Sequence, residues 1–184
     1  EEDAFKVVKQ RGVLMQEAVP EGGGMAAVLG LSAEAIEEVC KEVENGGDYI
    51  TPVNYNSPAQ TVIAGTVDAL AKAEELLSAK GAKRIVRLAV SAAFHSKLMV
   101  SASEEFKEKA QDIKFSVPEK TFYCNVYGNK LTDFSDMPSY LAKHICSPVR
   151  FTDELNCIKA DGYENYIELG PGKVLTGLIG KILK

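Results

Sequence analysis

Apolar and polar residues follow one another along this chain in blocks whose spacing alternates between that of a helix and that of a strand. Residues 3–19 carry apolar side chains at helical spacing, and the glycines at 22–24 separate this helix from the rest. Ser32 and Thr66 stand where helix N-caps are expected. The blocks between 25 and 90 predict strands at 25–31, 49–55, 60–65 and 83–90, and helices at 32–44 and 66–80.

The predicted order from 25 to 90 is therefore βαββαβ, which is the order of the split βαβ, or ferredoxin-like, unit. The blocks after residue 90 predict helices at 98–113, 138–146, 151–160 and 173–183, and strands at 121–126 and 163–169. Because strands and helices alternate along most of the chain, the expected fold class is α/β, with a mostly parallel sheet covered by helices.

Length and charge restrict the classes of function. The chain has 184 residues, 46% of them hydrophobic, which is enough for a packed domain with a small second lobe. A net charge of −5 and an isoelectric point of about 5.2 argue against a nucleic-acid partner, because such binding depends on neutralising phosphates. No apolar run reaches the roughly 18 residues of a membrane span, so no membrane association is expected.

The first residue is Glu1, and no charged-then-apolar leader follows it, so we expect no signal peptide and interpret the chain as a fragment that starts inside a folded element. Four cysteines lie too far apart for a zinc knuckle, namely Cys40, Cys124, Cys146 and Cys157. We expect them to be free thiols in a reducing compartment, which favours a cytoplasmic location.

The strongest candidate for chemistry is His95, in the junction between the strand at 83–90 and the helix at 98–113. A histidine there can expose its imidazole at the rim of a sheet and act as an acid or a base. The other histidine, His144, lies within a predicted helix, and we interpret it as structural. No Gly-x-Ser-x-Gly nucleophile elbow occurs in the chain, and no cysteine lies in an activating context, so a nucleophile for His95 is missing.

Three further segments have a structural and a functional interpretation. Arg11, followed by Gly12, is either a solvated helix residue or a bidentate partner for a substrate carboxylate, with Gly12 allowing close approach. Residues 54–60 form either a turn held by asparagine side chains or an amide cluster that lines a cleft. Residues 170–177 lack the spacing of a phosphate loop, so their glycines have a packing role, although the following helix N-terminus can attract an anion.

Several motifs in one order together resemble the malonyl-CoA:acyl-carrier-protein transacylase family, almost from end to end. The motifs are RGVLMQEAVP at 11–20, GMAAVLGL at 24–31, NYNSP at 54–58, FHS at 94–96, SPVRF at 147–151 and ELGPGKVLTGL at 168–178. The resemblance implies an α/β-hydrolase-like large lobe, at 1–19 and 91–184, with a ferredoxin-like small lobe inserted at 20–90. It also implies malonyl transfer from coenzyme A, through a serine ester, to the phosphopantetheine thiol of an acyl carrier protein, without a cofactor.

The same resemblance assigns roles to five residues. His95 matches the base that takes the proton from the serine, and Arg11 matches the arginine that binds the malonyl carboxylate. Asn56, with Asn54 as a weaker companion, falls in the asparagine motif near the substrate arm. His144 stands where the family normally has a glutamine whose backbone carbonyl orients the imidazole, and a backbone acceptor does not depend on the side chain.

The chain departs from the family pattern in one large respect. The family's Gly-His-Ser-Leu-Gly elbow and Gly-Gln-Gly oxyanion loop would both precede residue 1, so we expect an incomplete large lobe, exposed apolar surface and no activity from this chain alone. Two alternatives remain open at this stage. One is a non-catalytic module that binds an acyl carrier or coenzyme A, and the other is an unrelated esterase-type hydrolase.

Overall fold

The computed structural model describes residues 2–18, 22–90 and 92–184. Its helices are α1 (Glu2–Glu17), α2 (Ala33–Asn45), α3 (Val67–Ala79), α4 (Val100–Ala110), α5 (Met137–Cys146), α6 (Phe151–Ala160) and α7 (Val174–Ile182), with a short 3₁₀ helix at Lys97–Met99 before α4. Its strands are β1 (Gly23–Leu29), β2 (Ile50–Ser57), β3 (Gln60–Thr66), β4 (Arg84–Arg87), β5 (Tyr123–Cys124) and β6 (Asn129–Lys130).

The main sheet has four strands in the order β2-β3-β1-β4, and every ladder in it is antiparallel. The βαββαβ order predicted from the sequence is the order observed, but the expectation of a mostly parallel sheet is wrong. A two-residue connection at 58–59 forces β2 to run antiparallel to β3, and β1 lies between the strands that α3 connects. In the described residues the parallel pairing is a single bridge, between Asn54 and Val149.

One face of this sheet is covered by α2 and α3. Ser32 and Thr66 cap these helices as predicted, each accepting a backbone hydrogen bond at 3.3 Å, from Ala35 and Ala69 respectively. The helices bury their apolar stripes against alternate residues of the strands. The buried residues of this layer are Ala26, Val28, Ile36, Val39, Cys40, Val43, Ile50, Ile63, Ala69, Leu70, Ala73 and Leu77.

The opposite face of the sheet is buried too, and this contact positions the segment that carries His95. Met25, Ala27 and Val62 pack with Ala93, and Phe94 contacts both this cluster and a second one. The second cluster joins α1, α4 and α5 through Leu14, Met15, Ala92, Met99, Ala102, Phe106, Ala110, Ala142 and Ile145. The His95 segment is therefore fixed between the sheet and the helices.

The sequence prediction differs from the structure most in the second half of the chain. The strand predicted at 163–169 is wrong, because an extended segment becomes a strand only beside a hydrogen-bonded neighbour and no described segment forms a ladder with it. The strand predicted at 121–126 is reduced to Tyr123–Cys124, and the helix predicted at 98–113 is shorter. The predicted helix end at Val19, the following Pro20 and the lobe boundary at Ser91 lie outside the described residues.

None of the helices in the described part of the chain combines the length and the hydropathy needed to cross a membrane.

Candidate functional site

His95 lies in a tight turn with an unusual backbone. Its φ of 61° is the only positive value at a non-glycine residue in the described chain, and this left-handed conformation is unfavourable for an L-residue. The hydroxyl of Ser96 closes the turn, donating to the carbonyl of Ala93 at 2.6 Å and accepting from the amide of Leu98 at 3.2 Å. The surrounding hydrogen bonds hold the strained residue in place.

The last turn of α5 fixes both the ring and the backbone of His95. Nδ1 of His95 is 2.8 Å from the carbonyl oxygen of His144, and the backbone amide of His95 donates to the carbonyl of Ile145 at 3.2 Å. Carbonyls at a helix C-terminus lack intrahelical partners and are free to accept such bonds. Because a carbonyl can only accept, Nδ1 carries the proton and Nε2 keeps its lone pair, as a general base requires.

Two contacts that the sequence analysis missed hold this turn of α5. The hydroxyl of Ser103 on α4 donates to the carbonyl of Ala142 at 2.8 Å. The hydroxyl of Tyr140 is 2.7 Å from Nε2 of His144. The spacing of four residues between Tyr140 and His144 was a visible signal for the second contact, whereas nothing local in the sequence indicates the first.

Arg11 lies close enough to both histidines for its positive charge to lower the pKa of each of them. Its helix is held there by Leu14 and Met15, which pack with residues of α4 and α5. Burial lowers the pKa of Arg11 itself, and within the described residues no carboxylate pairs with it. A partly desolvated guanidinium without an anionic partner is suited to a carboxylate supplied by a ligand.

The electrostatics keep both imidazoles neutral near pH 7. Burial is the main cause that lowers the pKa of His95, the carbonyl of His144 opposes it, and the charge of Arg11 adds to it. Burial, followed by the charges of Arg11 and His95, lowers the pKa of His144 to about 4. A neutral His95 with a free Nε2 is the form that accepts a proton.

Asn54 and Asn56 lie within β2 and not in a turn, and both are half-buried. The ladder with β3 shifts register near each of them, between Pro52 and Asn54 and again between Tyr55 and Ser57. Such bulges redirect side chains and are frequent beside active sites. The bridge from Asn54 to Val149 places β2 against the segment that follows α5. No described hydrogen bond joins either asparagine to His95 or Arg11, so their role stays a prediction.

The N-terminus of α7 already has an anion of its own. Glu168 accepts from the backbone amides of Leu175 and Thr176, at 3.1 and 2.9 Å, and from the Thr176 hydroxyl at 2.7 Å. This carboxylate occupies the position that an external phosphate would need. The packing role predicted for the glycines at 170–177 is wrong, because a Cβ at Gly170, Gly172 or Gly177 would meet no described atom within 4 Å. Gly170 and Gly172 instead have positive φ values, 133° and 89°, a backbone conformation that favours glycine.

The described parts of the chain contain neither a disulfide nor a cluster of metal-ligating side chains. The four cysteines are free, and no group of three or more His, Cys, Asp or Glu side chains could hold a metal there. A cavity of about 530 Å³ between α6 and α7 is lined by Tyr163, Ile179 and Leu183, without His95 or Arg11. The hydrogen bonds and charges around His95, rather than this cavity, mark the candidate site.

Comparison with known proteins extends the resemblance to the whole chain. Residues 1–184 match the acyl transferase domain family. The malonyl CoA-acyl carrier protein transacylase of Bacillus subtilis is 41% identical over 181 residues, which are 98% of this chain and 57% of that protein. The crystal structure of an acyl carrier protein S-malonyltransferase from Vibrio cholerae has a TM-score of 0.93 and 42% identity, over 98% of this chain and 59% of that one.

A further solved structure is a malonyl-transacylase in complex with a type II PKS acyl-carrier protein, with a TM-score of 0.92 and 39% identity over 98% of this chain and 59% of that one. The chain thus spans between half and two thirds of the length of the relatives it matches. From the match along all its residues and the identity to several relatives, the chain belongs to the acyl transferase domain family.

Proposed function

We propose that the protein containing this chain transfers malonyl groups from coenzyme A to the phosphopantetheine thiol of an acyl carrier protein in fatty-acid biosynthesis. The observation that carries the proposal is the pairing of His95 Nδ1 with the carbonyl of His144, beside the positive charge of Arg11. Relatives named malonyl CoA-acyl carrier protein transacylase support it. The solved complex of a related transacylase with an acyl-carrier protein supports the choice of partner.

His95 acts as the proton carrier in this mechanism. A serine that is not among the 184 residues attacks the thioester carbonyl of malonyl-CoA while Nε2 of His95 takes its proton. The imidazolium then gives the proton to the departing coenzyme A thiolate, which leaves a malonyl ester on the serine. In the second half-reaction Nε2 accepts the proton of the phosphopantetheine thiol, whose sulfur attacks that ester, and returns it to the serine oxygen. The carbonyls of His144 and Ile145 keep Nε2 directed outward throughout.

Arg11 and the two asparagines bind the substrate in this proposal. The guanidinium of Arg11 pairs with the free carboxylate of the malonyl group through two parallel hydrogen bonds. Asn54 and Asn56 carry amide groups that can both donate to and accept from the amides of the pantetheine arm. No cofactor is needed, because the acyl group arrives on one thioester and leaves on another.

The two-lobe architecture is part of the proposal. We assign residues 20–90 to a ferredoxin-like small lobe and residues 1–19 and 91–184 to part of an α/β-hydrolase-like large lobe. The strand order β2-β3-β1-β4 with two helices on one face supports the first assignment. A cytoplasmic location is also proposed, because four free cysteines are typical of a reducing compartment.

A chimera tests the proposal directly. The part of the Bacillus subtilis transacylase that precedes its match to this chain is fused to residue 1, and malonyl transfer is measured for the chimera and for the chain alone. We expect turnover from the chimera, none from the chain alone, and no malonyl-serine ester in the chimera with His95→Ala. A folded chimera that forms no ester, or one that still forms it with His95→Ala, contradicts the proposal.

A non-catalytic module is the second candidate, since no Gly-x-Ser-x-Gly occurs in these 184 residues. Such a module binds a pantetheine-bearing partner without transferring an acyl group. Calorimetric titration of the chain with coenzyme A and with a phosphopantetheinylated acyl carrier protein measures that binding. Tight binding by the chain together with a folded but inactive chimera favours the module, whereas turnover by the chimera favours the enzyme.

A further inference from the structure

The side chain of His144 is held as firmly as the His95 ring that its carbonyl binds. The Tyr140 hydroxyl is 2.7 Å from Nε2 of His144, and the two rings meet edge to face with centroids 4.9 Å apart. Tyr140 is itself only 7% exposed and packs with Cys124, Val126 and Leu131. Because the two residues lie one helical turn apart, their contact braces the C-terminal turn of α5.

We propose that Tyr140 and the imidazole of His144 form a positioning pair for His95. The Tyr140 hydroxyl donates to Nε2 of His144 and so fixes the turn whose carbonyl oxygens hold the ring and the backbone of His95. The resemblance to the transacylases gives position 144 a role through its backbone alone, so the side-chain role is an addition. The inference rests on the proposed function, because His95 is a base only in that function. The contacts among Tyr140, His144 and His95 can be tested without measuring turnover.

The protonation states of the pair are consistent with this role. The proposal makes the Tyr140 hydroxyl the donor, and because a hydroxyl can donate only to an unprotonated ring nitrogen, it places the proton of His144 on Nδ1. The groups that face His144 are Arg11 from α1, His95 from the turn before α4, and Tyr140 on its own helix. Burial and the first two groups lower the pKa of His144 to about 4. In this arrangement His144 accepts from Tyr140 and stays neutral, so it adds no second positive charge beside Arg11.

A second hydrogen bond to α5 limits how much the loss of the Tyr140 hydroxyl can disturb the helix. Ser103 on α4 holds the carbonyl of Ala142 independently of Tyr140. Loss of the Tyr140 hydroxyl therefore loosens the turn without unfolding α5. The measurable consequence is a change in the tautomer of His95, because the carbonyl of His144, 2.8 Å from Nδ1, favours the proton on that nitrogen.

Nitrogen-15 NMR of the imidazoles tests the proposal in the full 184-residue chain, which contains only two histidines. We compare the chain with Tyr140→Phe, which keeps the ring and removes the hydroxyl. The ratio of Nδ1–H to Nε2–H tautomer at His95 is expected to fall roughly threefold to tenfold, the factor that corresponds to the net strength of one hydrogen bond. The control is Tyr166→Phe, since the Tyr166 hydroxyl donates only to the remote carbonyl of Tyr163, at 3.0 Å.

Two outcomes would overturn the proposal. One is a His95 tautomer ratio in Tyr140→Phe that equals the ratio in Tyr166→Phe and in the unchanged chain. The other needs no variant, and is the finding that His144 in the unchanged chain carries its proton on Nε2. Both readouts are independent of acyl transfer, so failure of the chimera assay leaves them interpretable, and their failure leaves the transacylase proposal standing.

Discussion

At position 95, three hydrogen bonds decide what the imidazole can do. The left-handed backbone of His95 costs about 1–2 kcal/mol for a residue with a Cβ. Its backbone amide bonds the carbonyl of Ile145, and Ser96 closes the turn from the other side. The hydrogen bonds that stabilise this strained backbone also direct the His95 ring towards the carbonyl of His144.

Removal of the charge at position 11 is expected to impair malonyl transfer selectively. In the active chimera, Arg11→Ala lowers kcat/KM for malonyl-CoA by about 10- to 100-fold, because a charge-assisted hydrogen bond contributes about 1.5–3 kcal/mol. Acetyl-CoA has no second carboxylate, so its slow transfer changes little. Steady-state kinetics with both donors measure the difference, and Lys9→Ala is the control, an exposed cation on the same helix. Equal losses for the two donors would refute the role of Arg11.

From the lowered pKa values of the two histidines we predict that the folded chain is less stable in mild acid. The pKa values of His95 and His144 are lowered in the folded state, so the unfolded chain binds more protons below pH 6.5. The free energy of unfolding is therefore highest above pH 6.5 and falls as the pH drops towards 4. At pH 5 the loss from His144 is of the order of 1–2 kcal/mol.

Urea unfolding at pH 7.5 and pH 5.0 measures this loss. His144→Gln removes one of the two groups, so the difference between the two pH values shrinks in this variant while His95 still contributes. A pH difference that is the same in the variant and in the unchanged chain would show that carboxylates, and not His144, cause it.

At the scale of elements, the sequence patterns predicted correctly those features that neighbouring residues determine. They failed for features that depend on residues far apart in the chain. The caps at Ser32 and Thr66 follow from neighbouring residues, and both are observed. The connection predicted at 56–59 is observed at 58–59 only, because β2 continues to Ser57. The segment at 163–169 has the composition of a strand but lacks a described neighbour to pair with. The hydrogen bond from Ser103 to Ala142 joins positions 39 residues apart, which no window of sequence reveals.

The candidate site divides in the same way. His95 was recognisable from its junction and from motifs, and its contact with His144 was expected from the resemblance alone. The proximity of Arg11 to both histidines depends on the packing of α1 against α4 and α5, which the apolar spacing of residues 3–19 does not encode. The left-handed backbone at His95 has no sequence signal, because the residue is not a glycine.

Substitution of two glycines by alanine is expected to change the free energy of unfolding in opposite directions. A Cβ at Gly65 would lie 2.3 Å from the carbonyl oxygen of Tyr49 and 2.8 Å from Cα of Ile50, so β3 and β2 would have to separate. We expect Gly65→Ala to lower the free energy of unfolding by about 2 kcal/mol or more. A Cβ at Gly12 meets no described atom within 4 Å, so Gly12→Ala is expected to stabilise α1 by about 0.5–1 kcal/mol.

Chemical denaturation of both variants checks the pair. The open space at Gly12 also means that no described backbone approaches it closely, contrary to one interpretation of its position after Arg11. A stable Gly65→Ala variant would contradict the close approach of the two strands. A loss of malonyl transfer in the chimera with Gly12→Ala, without loss of stability, would point to close approach by the substrate.

At the scale of the whole molecule, apolar side chains remain uncovered along the connection between α6 and α7. Ile167 is 84% exposed, Leu169 is 90% exposed, and Val174, at the start of α7, is 71% exposed. On α1, Phe5 and Val8 are exposed to 71% and 69%. Single exposed apolar residues are ordinary, but several within one segment are typical of a surface that binds another surface.

We therefore expect the isolated chain to associate with itself through the connection between α6 and α7. Sedimentation velocity over a range of concentrations should show an increasing average mass, and the double substitution Ile167→Lys and Leu169→Lys should reduce it, because two charges oppose the burial of this surface. Val117→Lys is the control, since Val117 is also an exposed apolar residue, at 71%, but lies between α4 and β5. An unchanged mass distribution in the double variant, or an equal reduction in the control, would place the association elsewhere.

In the active chimera the same double variant tests whether the added segment covers Ile167 and Leu169 or leaves them exposed to solvent. If the added segment covers Ile167 and Leu169, the lysines lower the free energy of unfolding of the chimera far more than that of the isolated chain, because only in the chimera would they be buried.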